Sequence, residues 1–132
     1  MSHTENYFDF AIANLKCAKI IFDHSNGDEY QLNLSAFWIQ QSIELAIKYI
    51  LFENGIDTIK TKTHSLPKLA EIAEKEKIDL YLTDYLLDRL DIITDWEAKT
   101  RYYLGYYVAH HNVEQALKET YKYLEIVKEK SL

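Results

Sequence analysis

The segment RYYLGYYVAHH, Arg101 to His111, sets one arginine, four tyrosines and two adjacent histidines within eleven residues. Arginine can grip a phosphate and histidine can move a proton, so Arg101 with His110 or His111 is the candidate for acid–base chemistry on a phosphate ester. The spacing argues against it. In one continuous helix the nine steps from Arg101 to His110 each add about 100° and 1.5 Å, which sets His110 roughly half a turn around and about 13 Å along. Two side chains so placed cannot share one phosphate unless Gly105 folds the chain back or a second subunit supplies the missing group. The segment reads instead as an aromatic hinge between two helices, with Arg101 paired to Glu97 one turn earlier and His111 beside an Asn112 cap. No catalytic residue is assigned, and Arg101, His110 and His111 are kept as the alternative.

The same segment offers a binding surface. Arg101, Tyr102 and Tyr106, joined by the turn at His64, form the one local conjunction of aromatic and cationic groups on an acidic chain, which suits a protein or nucleotide bound without turnover. His64 opens a helix near Lys60, Lys62 and Lys68, a place where an anion can sit, but a histidine packing the turn and bonding to backbone is the expected role.

Other clusters read as structural. Gln41, Glu44 and Lys48 form a polar line on the second helix, with Glu44 and Lys48 an i,i+4 pair on its one wet edge. Asp84, Asp88, Asp91 and Asp95 align along one helix face and are expected to meet water. Paired-cysteine, His-Glu-x-x-His and Glu-x-x-His patterns are absent, so no metal and no cofactor are expected. Cys17 reads as a buried small hydrophobe and Trp38 and Trp96 as core or interface aromatics.

These residues need elements to hold them. The chain has 132 residues, 48% of them hydrophobic, enough to fill one domain's core, and residues 1–132 are read as one domain. Acidic residues outnumber basic ones 21 to 15, so the overall field repels nucleic acid and any such contact must be local. The single cysteine and the absence of a leader or a long apolar run indicate a cytoplasmic protein with no membrane segment.

With three glycines and one proline, long helices joined by short loops are expected. The first runs from a capping box at Ser2 to about Asp23, with Phe8, Ala11, Ile12, Leu15, Ala18 and Phe22 inward. A second apolar line, Phe10, Ala13, Cys17 and Ile21, is more than the outside of a monomer needs, so Phe10, Cys17 and Ile21 are expected to contact a second copy in a homodimer. The second helix spans about Asn33 to Glu53, apolar around most of its girth, and ends at Asn54–Gly55. A third follows a Ser65 cap with Pro67 in its first turn and Leu66, Leu69, Ala70 and Ala73 inward. A fourth, about Leu80 to Tyr102, buries Leu82, Leu86, Leu90 and Ile93. A fifth follows an Asn112–Gln115 capping pair and buries Val113, Ala116, Leu117, Tyr121, Leu124 and Val127. The sum is an all-α antiparallel bundle of about five helices.

SAFWIQQSIELAIKYILFENGI resembles the second-helix signature of HEPN domains, a small residue and an aromatic ahead of Gln-x-x-Glu-x-x-x-Lys, with Gln41, Glu44 and Lys48 in frame. THSLPKL is similar to the family's Thr-His-x-Leu-x-x-Leu entry to its third helix, and DWEAKTRYY to the approach to its Arg-Tyr segment. The resemblance implies a helical-bundle domain that dimerises and acts as a ribonuclease of conflict systems or beside a minimal nucleotidyltransferase. Catalytic members carry histidine after a spacer of four to six residues from arginine, whereas eight separate Arg101 from His110 and Arg89 has no histidine within that range. The reading is therefore a noncatalytic interaction or nucleotide-binding module, a homodimer working with a separately encoded partner such as a minimal nucleotidyltransferase, in the manner of a toxin–antitoxin pair. A divergent, metal-independent ribonuclease acting on RNA is the alternative.

Overall fold

In the computed structural model, which describes residues 3–131, the chain is an all-α bundle with no strand among those residues. Two long helices, α1 (His3–His24) and α2 (Glu29–Glu53), lie antiparallel. Their register is set by small residues seven apart. Ser35 donates its hydroxyl to the Ala18 carbonyl at 2.8 Å, and Ser42 donates to the Ala11 carbonyl at 2.7 Å. Alanine facing serine lets the backbones approach closely enough for these bonds, and all four residues are fully buried. The expected inward stripe of α1 holds at Ala11, Leu15 and Ala18, while Phe8, Ile12 and Phe22 are partly buried. The Ser2 capping box lies outside the described residues.

The turn between them corrects the start of α2. Asn26 and Gly27 take positive φ, and the Asp28 side chain then accepts from the Gln31 amide at 2.9 Å, so the helix begins at Glu29 and not at Asn33. Its end is as expected. Gly55 (φ +84°) follows the Asn54 cap, Gly55 N–H bonds to the Phe52 carbonyl and Ile56 N–H to Leu51, a paired closure that seats Ile56 on the core. The α2 helix is the central element, packing against every other major helix.

After a short 3-10 turn (Thr58–Thr61), α3 (Leu66–Lys75) starts at the Ser65 cap with Pro67 in its first turn and buries Leu66, Leu69 and Ala73. The expected fourth helix is not continuous. It consists of α4 (Asp84–Leu87), α5 (Leu90–Thr94), a 3-10 turn at Asp95–Glu97 and α6 (Lys99–Tyr102). Residues 80–102 are rich in Asp, Thr, Tyr and Ile, which favour caps or lose rotamer freedom in helices, so packing and not propensity decides the path. Thr83 caps α4 and Arg89 leaves helical geometry (φ −119°). The inward spacing nevertheless survives at Leu86, Leu90, Ile93 and Trp96, with Leu82 only partly buried. Because the helix breaks, the four aspartates do not share one continuous face. Asp84, Asp88 and Asp91 are exposed, and Asp95 pairs with Lys99 at 3.1 Å.

The last helix, α7 (His110–Lys130), begins earlier than expected, with Ala109 at its cap position. Asn112 is already in the first turn, donating its backbone N–H to the Ala109 carbonyl, so the Asn112–Gln115 capping pair does not form. Inward positions are Val113, Ala116, Leu117, Thr120, Tyr123, Leu124 and Val127, whereas Tyr121 faces outward at 38% exposure. The Tyr123 hydroxyl, wholly buried, donates to the Leu80 carbonyl at 2.8 Å and ties α7 to the stretch before α4. Among the described residues no helix is long and apolar enough to cross a membrane.

Candidate functional site

The signature residues of α2 meet the His64 turn in a buried polar network. Glu44, expected at a wet edge, is 3% exposed. Its carboxylate accepts from Lys48 Nζ at 3.0 Å, from His64 Nδ1 at 3.1 Å and from Gln40 Nε2 at 3.2 Å. A buried carboxylate needs this many donors, since each replaces a lost water. The His64 ring therefore bonds to a side chain and not to backbone, while its carbonyl accepts from Gln40 and from the Thr94 hydroxyl. Gln41 donates to Gln40 at 2.7 Å. The imidazole remains largely exposed, with Nε2 unpaired among the described residues.

One face of α2 continues from this network to Arg101. Phe37, Gln41, Glu44 and Lys48 recur at i, i+4, i+7 and i+11, so they line one side of the helix. The Arg101 guanidinium stacks over Phe37 at 4.4 Å and over Tyr102 at 4.8 Å. Arg101 also donates to the Glu97 carbonyl and carboxylate, both at 2.8 Å, which is the expected acid-first pair. Arg101, Tyr102 and His64 thus border the same side of α2, with Tyr102 71% exposed.

Tyr106 leaves that group. The chain turns at Tyr103–Tyr106, where Gly105 has φ +80° and the Tyr106 amide bonds to the Tyr103 carbonyl at 3.3 Å. Asn33 of α2 then clamps the returning stretch of backbone. Its Nδ2 donates to the Tyr106 carbonyl at 2.7 Å and reaches the Thr100 carbonyl at 3.5 Å, while Oδ1 accepts from the Val108 amide at 2.9 Å. Gly105 thus turns the chain after α6 has ended at Tyr102, but the clamp carries His110 elsewhere. His110 stacks on Phe22 of α1 at 4.8 Å, a residue that Arg101 does not touch. His111 is exposed in the first turn of α7. Among the described residues neither His110 nor His111 bonds to the Arg101 guanidinium, whose partners are Glu97, Phe37 and Tyr102.

Tyr106 instead lines a cavity of about 260 Å³ with Tyr85, Arg89, Trp96, Tyr107 and Asn112. The Arg89 guanidinium lies 4.0 Å from the centre of the Tyr85 ring. Burial pushes the hydroxyls of Tyr85 and Tyr106 above the ordinary tyrosine value, so both are protonated donors at neutral pH.

The second apolar line of α1 is open to solvent. Phe10 is 58% exposed, Ala13 and Cys17 are exposed, and Ile21 is partly buried. Cys17 is therefore not a core residue of the protomer. Ile20, at 60% exposure, extends the line as Phe10, Ala13, Cys17 and Ile20 at 3-4-3 spacing. Among the described residues no group of three or more His, Cys, Asp or Glu side chains is arranged to hold a metal ion.

The sequence reading missed Asn33, Gln40 and the Tyr85–Arg89 pair. The signal for the first two was a polar residue inside an apolar helical run, which must find a partner when buried. For the last it was an aromatic and an arginine at i,i+4.

Similarity to known proteins follows the fold. The model of the HEPN domain family matches residues 4–130. The crystal structure of TT1696 from Thermus thermophilus superposes with a TM-score of 0.70 at 21% identity, covering 98% of this chain and 99% of that one. No curated protein matches the chain.

Proposed function

Because the chain belongs to the HEPN family, we propose that it is a noncatalytic HEPN-type binding module that dimerises and works with a separately encoded partner, such as a minimal nucleotidyltransferase. The observation that carries this reading is the state of Arg101. Its guanidinium is committed to Glu97 and stacked between Phe37 and Tyr102, while His110 packs on Phe22. General acid–base catalysis needs its proton carrier within about 3 Å of the reacting atom, and neither histidine of the segment bonds to Arg101 among the described residues.

The face that remains suits recognition. Exposed Tyr102 and Arg101 lie at the Phe37 end of this side of α2, where Trp38 meets Phe37 edge-on, and exposed His64 lies at its Glu44–Lys48 end. Aromatic groups beside arginine give large contact area and cation–π attraction to a protein surface or a nucleotide base. The open apolar line of α1 is the proposed dimer seam.

The test is a pulldown from native cells combined with calorimetry against nucleotides and incubation with single-stranded and transfer RNA. Capture of a partner or a nucleotide, weakened by Arg101→Ala in a protein that still folds, supports the reading. Cleavage of RNA by the wild type but not by an Arg101→Ala, His110→Ala double variant overturns it.

A further inference from the structure

We propose that the cavity between α5 and the start of α7 binds a compact planar ring bearing an anionic group, stacked on its tyrosines and held at the anion by Arg89. This site lies apart from the Arg101 face, and three observations carry it.

The first is the state of the guanidinium. The chain has two arginines. Arg101 is balanced by Glu97, whereas Arg89 has no carboxylate partner among the described residues and donates only through Nη1, to the Tyr85 carbonyl at 3.1 Å. Guanidinium presents five N–H donors in a planar fork, so most of them remain for a ligand. The group lies over Tyr85, 4.0 Å from the ring centre, and its other N–H donors have no partner among the described residues. An anion met by such a fork makes the strongest class of hydrogen bond available to a side chain.

The second is the wall. Tyr85, Trp96, Tyr106 and Tyr107 line the cavity with Arg89. Aromatic rings prefer offset or edge-to-face contact with another ring, and no other residue type gives as much contact area to a flat ligand. Trp96 is 4% exposed, so its face toward the cavity is the dry end. Near 260 Å³, the space is just below the usual range of ligand pockets, fit for one ring or a fused pair and too small for a polymer.

The third is the set of polar groups at the rim. Asn112, in the first turn of α7, lines the same opening, and Tyr85 and Tyr106 keep their phenolic protons at neutral pH. Among the described residues Arg89 is the one charged side chain lining the cavity, which favours an anion over a cation. The Asp95 and Glu119 carboxylates that act on Tyr106 and Tyr85 are themselves paired, with Lys99 and Lys122.

The anion can be carboxylate or phosphate, and the experiment separates them. Titrate the full chain, carrying Trp38→Phe so that Trp96 alone reports, with 4-hydroxybenzoate and with adenosine monophosphate, using phenol, adenosine and inorganic phosphate as halves. Trp96 fluorescence and the arginine Nε–H signals in nuclear magnetic resonance are followed. The proposal expects one of the two whole ligands to perturb Trp96 and Arg89 and to bind at least tenfold more tightly than either of its halves. Arg89→Ala should weaken that binding about tenfold or more, Arg89→Lys should weaken it less, and Arg101→Ala should leave it unchanged. Arg89 is exposed, so its variants are expected to retain the wild-type helical signal and melting curve. Absence of binding by both ligands, failure of both whole ligands to exceed their own halves tenfold, or binding undiminished in Arg89→Ala would each overturn it. Loss through Arg101→Ala instead would overturn it too, and would assign the ligand to the α2 face.

Discussion

Glu44 and His64, twenty residues apart in sequence, meet at 3.1 Å, with the carboxylate 3% exposed and the imidazole open to solvent. The bond fastens the turn before α3 to the centre of α2, and it also shares the carboxylate with Lys48. An interior carboxylate is tolerable only when its donors replace water, so this pairing is tied to stability.

Glu44→Gln tests that. The substitution preserves shape but leaves the Lys48 ammonium, whose side chain is 13% exposed, without its counter-charge. A loss of about 2–3 kcal/mol is expected, read as a lower urea midpoint with an unchanged slope. Adding Lys48→Met should recover most of it. A midpoint within error of the wild type would contradict the role given to the network.

Asn33→Ala should release the returning chain at Tyr106–Val108. Three backbone groups lose partners, among them the buried Val108 amide. The expected cost is about 2 kcal/mol, with hydrogen exchange at Val108 accelerating far more than exchange in α1 or α2. Uniform acceleration across the bundle would mean that the clamp does not act locally.

At Gly105 the φ of +80° has open space around the site where a Cβ would stand. Gly105→Ala therefore meets no clash and pays only the left-handed backbone cost, about 1 kcal/mol. Calorimetric melting should show a shift of a few degrees. A much larger loss would reveal a contact that the turn does not display.

Alkaline stability should depend on Tyr123. Complete burial raises its hydroxyl far above the ordinary tyrosine value, with Asp79 adding to the effect. The folded state thus holds the proton more tightly than the unfolded chain. The resulting stability is full below the unfolded value of about 10 and is lost as pH rises through and beyond it. Tyr85 and Tyr106 are shifted the same way by burial and add to the slope. Tyr123→Phe should cost about 1 kcal/mol at neutral pH by leaving the Leu80 carbonyl unpaired, yet should flatten the decline above pH 10. An unaltered alkaline slope would remove Tyr123 from the explanation.

The dimer seam is tested on α1. Phe10 and Ile20 are 58% and 60% exposed in the protomer, so Phe10→Glu with Ile20→Glu should leave folding intact. Light scattering should report a dimer for the wild type at micromolar concentration and a monomer for the double variant. A monomeric wild type would dispose of the seam.

What the sequence alone determined is whatever repeats at helical period or is written in local chemistry. The inward stripes of α1, α3 and α7 and the Asn54–Gly55 closure were legible because each follows from spacing or from one residue's backbone preference. The Arg101–Glu97 pair was legible for the same reason, as both partners lie one turn apart. The second apolar line of α1 was visible as well, although its outward end proved to be Ile20 before Ile21. Even the family signature of α2 could be read, but not what it does. Only the tertiary structure decided that Glu44 is buried, because its burial comes from the His64 turn arriving twenty residues later. Residues 80–102 looked like one helix since the inward spacing was right, yet weak propensity let packing break them into short turns. Asn33 reached across 73 and 75 positions to hold Tyr106 and Val108, which separated Tyr106 from Arg101 and delivered it to Arg89. Periodicity reports which way a side chain faces on its own helix. It carries no information on which distant backbone that side chain will meet, and in this bundle such meetings determine the sites.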